Sequence, residues 1–232
     1  MRDGRCRRSW PWHWPREWPR LPTSDCPIGH ASGTRWIRVG YNCNVAYSPT
    51  LVVVSGPSGA GKTTLAHKIA QAVGCPAVCR DEIKEGMLHA APGFVAGPGD
   101  ELTMRTLPVF FDVLALLLTA GVTTVAEAAF QDRRWRAGLE SLRELAQPRI
   151  VHCTVSADVA FQRSLWRRQA VPTRRAHADP RPSDAAGSAA RHSAFERLSI
   201  DAPSIDVDTT HGYRPGLRQI VAFVNAGMDG PP

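Results

Sequence analysis

The stretch SGPSGAGKTTLA, residues 55–66, decides the fold of this chain. Residues 56–63 match the Walker A pattern, in which four variable residues separate a glycine from Gly-Lys-Thr. An unbroken β-branched run, TLVVVS (50–55), precedes the pattern, and an amphipathic helical pattern over 62–73 follows it. Glycines let the backbone turn so that successive N–H groups point at phosphate oxygens. The stretch therefore predicts a phosphate-binding loop between a buried strand and a helix.

The residues of this loop have predicted roles in holding a nucleoside triphosphate and a Mg²⁺ ion. Lys62 is expected to reach the β- and γ-phosphates, and the hydroxyl of Thr63 is expected to ligate Mg²⁺. The chain has three lysines against 25 arginines, so a lysine at this place indicates a specific requirement for that side chain. The predicted nucleotide-binding residues are Gly56, Pro57, Ser58, Gly59, Ala60, Gly61, Lys62, Thr63 and Thr64. We expect ATP and Mg²⁺ as the cofactors.

Strand and helix patterns alternate along the rest of the chain. Further strands are predicted at 76–79, 121–128, 149–155 and 203–209, and further helices at 81–90, 101–120, 132–146, 156–170 and 213–226. Pro108 predicts a break or kink in its helix, and residues 171–192, rich in Arg, Pro and Ala, are predicted to form a loop. Strands that alternate with helices predict an α/β fold, a parallel sheet with helices on both faces.

Charge and composition divide the chain into a domain and an extension. The net charge is +7, of which residues 1–49 carry +5, from eight arginines against three acids, so residues 50–232 carry +2. The Trp- and Pro-rich run WPWHWPREWPRLP indicates a disordered extension. The alternative is an arm that touches membrane surfaces or nucleic acid. We therefore predict an extension over 1–49, a domain over 50–226 and a tail over 227–232.

Cysteine usage and hydropathy favour a cytoplasmic protein with no membrane partner. The six cysteines are scattered, and Cys75 and Cys79, the closest pair, have no second pair or histidine cluster to complete a zinc set. Reduced thiols are the preferred interpretation. The longest apolar run, residues 109–120, carries Asp112 and is too short to span a bilayer.

Missing motifs narrow the class of nucleotide-binding protein. The Asn-Lys-x-Asp motif expected of a GTPase is absent, and so is the Ser-Gly-Gly-Gln signature of a transporter ATPase. The chain is also too short for a helicase or a ring ATPase. A small kinase is the class that remains.

Four segments then resemble a known family. The segments LVVVSGPSGAGKTTLA, CRDEIKEGM, VAEAAF and FQRSLWRR resemble bacterial P-loop kinases that are also called AAA-family ATPases. These are kin to chloramphenicol phosphotransferase, zeta toxins and the kinase part of polynucleotide kinases. The resemblance covers about residues 50 to 225. It implies the P-loop NTPase fold, with five parallel strands in the order 2-3-1-4-5 and a small Arg-rich lid over the nucleotide.

The resemblance also implies roles for two acidic residues. Asp81 follows the second strand, where a carboxylate faces the acceptor hydroxyl in the resembling kinases and would accept its proton. The alternative is that Asp81 only caps helix 81–90. Glu127 ends the third strand, at the Walker B position that helps to hold Mg²⁺, directly or through water. Many of the resembling proteins carry Asp there, which leaves direct coordination open.

Arginines after the fourth strand are implied to form the lid. Arg163 and Arg167 share one helix face and would stabilise charge on the transferring phosphoryl group. The alternative is a solvated basic face, which is the preferred interpretation for Arg168, Arg174 and Arg175. Residues 209–213 are implied to lie near the adenine. Two histidines, His89 and His177, are interpreted as ordinary surface residues rather than acceptor contacts.

Together these features predict an ATP- and Mg²⁺-dependent phosphotransferase that acts on a hydroxyl of a small-molecule acceptor. One alternative is a polynucleotide 5′-hydroxyl kinase, against which the nearly neutral domain argues. The other is a nucleotide-dependent switch that hydrolyses ATP slowly and acts by binding a protein partner. Asp81 separates the kinases from the switch, because a switch needs no acceptor base.

Overall fold

The computed structural model describes residues 48–226. Of the predicted extension over 1–49, only Ser48 and Pro49 fall within this part, and the predicted tail over 227–232 lies outside it. The predictions that concern the extension and the tail therefore stay predictions.

Five parallel strands form one sheet, and their order is β2-β3-β1-β4-β5. The strands are β1 (Thr50–Ser55), β2 (Ala77–Cys79), β3 (Thr124–Glu127), β4 (Gln147–Thr154) and β5 (Ser204–Asp208). The order 2-3-1-4-5 implied by the resemblance is confirmed. It places β1, which leads into the phosphate-binding loop, in the centre of the sheet.

Seven α-helices connect and cover the strands within the described residues. They are α1 (Lys62–Val73), α2 (Arg80–Leu88), α3 (Glu101–Thr119), α4 (Asp132–Ser141), α5 (Ala157–Ala170), α6 (Ala185–Ser193) and α7 (Leu217–Asn225). Two short 3₁₀ helices, Pro172–Ala176 and Pro182–Asp184, lie between α5 and α6. Strand-helix alternation thus continues through the domain as predicted.

The central strand is buried on both faces, which explains its unbroken apolar sequence. Leu51 and Val53 lie in a core cluster with α3 and α4, whereas Val52 and Val54 lie in a second cluster with α1 and α7. Alternate side chains of a strand point to opposite faces of a sheet. The helices therefore cover both faces of the sheet, as the sequence predicted.

Two local predictions are wrong. Residues 171–192 are not one loop, because α6 occupies Ala185–Ser193. None of the residues of α6 is buried, so no apolar period marks the helix, and its four alanines supply helix propensity instead. The predicted break at Pro108 is also absent, because α3 runs through it. Pro108 is exposed, and the buried Phe110 and Phe111 pack the helix onto the core beside it.

Helix α3 is also the one helix within residues 48–226 that is long and apolar enough to cross a membrane, with a mean hydropathy of 1.6 over its most apolar window. Its inner face explains that composition. Phe110, Leu114 and Leu118 are buried against the sheet in the first core cluster. The apolar run over 109–120 therefore belongs to a helix that packs in the core of this domain.

Candidate functional site

The phosphate loop, residues 56–61, joins the end of β1 to the start of α1. Gly59 and Gly61 have φ angles of 79° and 70°, in the left-handed region that favours glycine. A Cβ atom at Gly59 would also collide with the backbone of Ala160 in α5, so close packing requires glycine there. Ala60, between the two glycines, is fully buried. The loop is therefore held in a fixed conformation at the N-terminus of α1.

Lys62, Thr63 and Glu127, three of the predicted site residues, lie together beside this loop. Lys62 Nζ donates to the carbonyl oxygen of Pro57 at 3.0 Å and is 3.8 Å from Glu127 Oε1. Thr63 Oγ1 donates to Glu127 Oε2 at 2.9 Å. Burial raises the pKa of Glu127, although the charge of Lys62 opposes the rise. The Glu127 carboxylate, buried between Lys62 and the Thr63 hydroxyl, can therefore balance the charge of a cation that binds beside it.

The Thr63 and Glu127 pair fits a Mg²⁺ ion by its donor chemistry, because Mg²⁺ prefers oxygen ligands. The hydroxyl of Thr63 gives its only proton to Glu127, which leaves the oxygen lone pairs free for a cation. A carboxylate that holds a ligand by a hydrogen bond orients that ligand from outside the coordination shell. The arrangement therefore favours Thr63 as the Mg²⁺ ligand and Glu127 as the residue that orients it.

Asp81 lies in the first turn of α2, at the same end of the sheet. The helix begins at Arg80 with Cys79 as its N-cap, and no side chain caps it, so Asp81 does not cap as the alternative interpretation required. Asp81 Oδ1 accepts from Arg80 Nη1 at 3.0 Å, and Oδ2 accepts from Arg174 Nη1 at 3.3 Å. Burial alone would raise the pKa of Asp81, but the charges of His177, Arg174 and Arg80 outweigh it and hold the pKa well below its usual range.

Arg174 is the centre of a charged group that connects the segment after α5 to α2. This Arg174 cluster consists of Asp81, Glu85, Arg174, His177 and Asp179. Two nitrogens of Arg174 donate to the two carboxylate oxygens of Asp179, at 2.9 and 2.7 Å, and a third donates to Glu85 at 3.1 Å. His177 Nε2 lies 3.1 Å from the same Glu85 oxygen. The segment after α5 is therefore attached to α2 by several charged contacts.

The structure corrects the interpretation of Arg174 and His177 as surface residues. Only 8% of the Arg174 side chain and 10% of the His177 side chain are exposed. Opposing carboxylates keep the Arg174 guanidinium charged, and burial lowers the pKa of His177. Their partners in α2 are about ninety residues away in the sequence, so no local pattern could have identified them.

Arg163 ties the phosphate loop to the segment that follows β5. Its Nη2 donates to the carbonyl oxygens of Thr209 and Thr210 at 2.7 and 3.1 Å, and its Nη1 donates to the Gly59 carbonyl at 3.4 Å. The hydroxyl of Thr209 donates to the carbonyl of Ala60 at 2.9 Å. Arg163 thus contacts the segment over 209–213 that was implied to lie near the adenine, and its position suits a residue that supports the loop.

Arg167, one turn further along α5, has a different environment. Its Nε is buried and has no hydrogen-bond partner within residues 48–226. Burial and the charge of Arg174 lower the pKa of Arg167, while the charges of Asp179, Asp81 and Glu127 oppose this. The guanidinium therefore lies within electrostatic reach of both the Arg174 cluster and Glu127. A buried N–H group without a partner is costly unless a ligand accepts its hydrogen bond. An anionic group of a ligand that lies between Asp81 and Glu127 would supply such an acceptor.

Known structures share this fold. The chain is similar to a proposed kinase from Chloroflexus aurantiacus, with 23% identity and a TM-score of 0.68 over 78% of this chain and 98% of that one. It is also similar to a sugar kinase from a Janibacter species, with 23% identity and a TM-score of 0.51 over 78% and 95% of the two chains. An APS kinase from Mycobacterium tuberculosis, in complex with AMPPNP and APS, shares 13% identity and a TM-score of 0.50 over 79% and 99%. At these identities the likeness shows the fold alone.

A family model gives a more direct assignment. No curated protein shows a significant match to the chain. The model of a family described as an AAA domain, however, matches residues 51–192, more than half of the chain. The matched part contains the phosphate loop, Asp81, Glu127, Arg163 and Arg167. The chain therefore belongs to this AAA domain family.

Proposed function

We propose that this protein is an ATP- and Mg²⁺-dependent phosphotransferase that moves the γ-phosphate of ATP to a hydroxyl group of a small-molecule acceptor. One observation carries the proposal: Asp81 begins the helix that follows β2, next to the strand that ends in Glu127. The parallel register pairs Cys79, two residues before Asp81, with Glu127 at the end of the neighbouring strand. The charge of Asp81 acts on Glu127 and contributes to its raised pKa. A second acid at the same end of the sheet suits an acceptor hydroxyl.

The phosphate loop supports this function by binding and positioning the nucleotide. Its backbone N–H groups and the N-terminus of α1 attract the phosphate oxygens. Lys62, whose Nζ now contacts Pro57 and Glu127, would turn to the β- and γ-phosphates. Thr63, oriented by Glu127, would hold Mg²⁺, and the ion would offset the negative charge of the phosphates. ATP and Mg²⁺ are plentiful in the cytoplasm, where we place the protein.

Asp81 would orient the acceptor hydroxyl and take its proton. Its side chain is 39% exposed, so an acceptor can reach the carboxylate from solvent. The lowered pKa keeps Asp81 ionised at neutral pH, and an ionised carboxylate accepts hydrogen bonds at both oxygens. Proton transfer is needed only as the new P–O bond forms, because phosphoryl transfer passes through a loose transition state. A weakly basic carboxylate is sufficient for that step.

Arg167→Gln is expected to lower phosphoryl transfer by roughly 10²-fold, the usual effect of removing one donor to a developing charge. ATP affinity should change much less, because the phosphate loop and Lys62 are untouched. Arg168→Gln is the matched control, since Arg168 lies next along α5 but is exposed, and its hydrogen bonds within residues 48–226 go to the carbonyls of Asp179 and Pro180 at 3.3 Å. Single-turnover rates and ATP titrations of both variants provide the comparison. Equal rates for the two variants would remove Arg167 from the transfer step.

The two alternative functions predict different charges on the acceptor side of the site. A polynucleotide kinase needs free positive charge along the acceptor side. Here Arg174 is neutralised by Asp179, Glu85 and Asp81, and Arg80 is paired with Asp81. A switch that acts through a protein partner needs no ionised acid at the acceptor position. The charge balance beside Asp81 therefore favours a small hydroxylated acceptor.

ATP turnover with and without candidate acceptors tests the proposal. Purified protein with Mg²⁺ and γ-labelled ATP should form ADP slowly alone, and faster when a pool of low-molecular-weight metabolites is added. The label should move from ATP to an organic phosphate ester rather than to inorganic phosphate. An oligonucleotide with a 5′-hydroxyl forms a second arm of the experiment. Labelling of the oligonucleotide alone would support the polynucleotide kinase, and release of inorganic phosphate in every arm would support the switch.

A further inference from the structure

Three side chains of types that can bind a metal lie together at the end of β2, next to α1 and the first turn of α2. His67 comes from α1, Cys79 is the last residue of β2, and Glu82 comes from the first turn of α2. His67 Nε2 is 2.7 Å from Glu82 Oε1 and 3.8 Å from Cys79 Sγ. All three potential ligand atoms lie within 4.8 Å of one another. Three segments of the chain thus bring one nitrogen, one sulfur and one oxygen together.

We propose that His67, Cys79 and Glu82 form a binding site for a thiophilic divalent cation such as Zn²⁺. Imidazole nitrogen, thiolate sulfur and carboxylate oxygen are the three donor types that bind Zn²⁺ in proteins. Three protein ligands leave a fourth tetrahedral position for water. About half of the His67 and Glu82 side chains is exposed, at 50% and 49%, so water and the ion can enter from that side.

The spacing of the donors suits tetrahedral coordination after a small adjustment. At metal–ligand distances of about 2.0–2.3 Å, neighbouring donors in a tetrahedron are about 3.3–3.7 Å apart. The separation of 3.8 Å between Cys79 Sγ and His67 Nε2 is close to this range. The His67 to Glu82 hydrogen bond, at 2.7 Å, must open by about 0.6 Å. Both of these side chains are half-exposed and can move by that amount, whereas Cys79 is buried and fixed.

This site is chemically distinct from the predicted Mg²⁺ site, although the two are neighbours. Cys79 pairs with Glu127 across β2 and β3. Mg²⁺ takes oxygen ligands, whereas thiolate ligands select softer ions such as Zn²⁺. Burial raises the pKa of the Cys79 thiol, and the charges of Glu127, Glu82 and Asp81 raise it further. These acids disfavour a lone thiolate and favour a cation beside it, so metal binding would release the thiol proton to solvent.

Binding at this site would fix the acceptor side of the predicted active site. Two of the ligands, Cys79 and Glu82, flank Arg80 and Asp81, and the third lies on α1, one turn after Thr63. An ion coordinated by all three would tie the first turn of α2 to α1. The position of Asp81 would then depend on metal occupancy. The metal site itself does not depend on the proposed function, because its ligands take no part in phosphoryl transfer.

Cobalt absorption of the full-length protein tests the sulfur ligand. Co²⁺ replaces Zn²⁺ in tetrahedral sites, and a thiolate ligand gives it a near-ultraviolet charge-transfer band. We expect this band in the wild type, its loss in Cys79→Ser, and its retention in Cys75→Ser, the matched control. The chain also has cysteines in residues 1–47, so the difference between the two variants is the decisive quantity. Identical bands in Cys79→Ser and the wild type would overturn the proposal.

Competition for Zn²⁺ with a chelating indicator tests the other two ligands. His67→Ala and Glu82→Gln should each weaken Zn²⁺ binding by about tenfold or more, while the exposed His89→Ala should not. Added Zn²⁺ should raise the melting temperature of the wild type, and by less in the two ligand variants. Millimolar Mg²⁺ should not displace the ion. If the three residues form only hydrogen bonds, all variants will bind Zn²⁺ equally, and that result would also contradict the proposal.

Discussion

Replacement of Lys62 by alanine is expected to lower phosphoryl transfer by roughly 10³-fold or more and to weaken ATP binding, without loss of the fold. The Lys62 side chain is 11% exposed, and its ammonium group lies between the loop carbonyl of Pro57 and Glu127. Its removal takes away the one charge that can bridge the β- and γ-phosphates from within the loop. It also removes the charge that lowers the pKa of Glu127 and so leaves that buried carboxylate less ionised.

Lys68→Ala is the matched control for this prediction. Lys68 lies on the same helix but is exposed, and its Nζ is 5.0 Å from the centre of the Tyr213 ring. Its loss should leave transfer and ATP affinity nearly unchanged. Circular dichroism should show equal helix content in Lys62→Ala, Lys68→Ala and the wild type. If Lys62→Ala keeps its activity, the interpretation of the glycine loop as a triphosphate site is wrong.

Asp81→Asn is expected to lower phosphoryl transfer by roughly 10²–10⁴-fold, the usual contribution of a general base. ATP should still bind with near-normal affinity, because the phosphate loop is unchanged. Asparagine keeps the size of the side chain and one acceptor oxygen, but it loses the charge and can accept from only one of the two guanidinium groups. The melting temperature should move little, because Asp81 is 39% exposed and ion pairs that reach solvent contribute little to stability.

Glu85→Gln separates loss of the base from disturbance of the ion pairs. Glu85 is one turn after Asp81 on α2 and shares both Arg174 and His177 with it. If Asp81 acts on the acceptor, Asp81→Asn should lose far more transfer than Glu85→Gln at equal ATP affinity. Acceptor-dependent turnover and ATP titration of both variants give the result. Turnover within a factor of a few of the wild type in Asp81→Asn would exclude it as the base and favour the switch.

The parts of the fold that the sequence predicts are those marked by local patterns. The glycines of the phosphate loop and the buried residues of β1 can be recognised within a dozen positions of sequence. Positive φ angles and burial on both faces restrict the residue types that are allowed there. Helix α6 gives no such mark, because none of its residues is buried. A periodic pattern of apolar residues arises only where one face of an element is buried. An exposed helix rich in alanine therefore shows no such pattern.

The site shows the same division between local and distant information. Lys62, Thr63 and Glu127 were predicted from the loop motif and from an acid at the end of an apolar strand. The contact of Arg174 with Asp81 spans 93 positions in the sequence, and Arg163 binds backbone carbonyls, which carry no sequence signature. The residues of the proposed zinc site were missed for a similar reason. His67 and Cys79 lie 12 residues apart and meet only because α1 returns to β2.

The Arg174 cluster has a consequence for the choice of acceptor. Both oxygens of Asp81 already accept a hydrogen bond from a guanidinium group. On the proposed function an acceptor would therefore enter by exchange: its hydroxyl would take over one hydrogen bond while Arg174 keeps Asp179 and Glu85. Such an exchange conserves the number of bonds for any molecule that brings its own donor. A molecule that has only hydrogen-bond acceptors would leave Asp81 with fewer hydrogen bonds than it had before. On the proposed function, the occupied carboxylate would therefore reject molecules that lack a hydrogen-bond donor, before any phosphate moves.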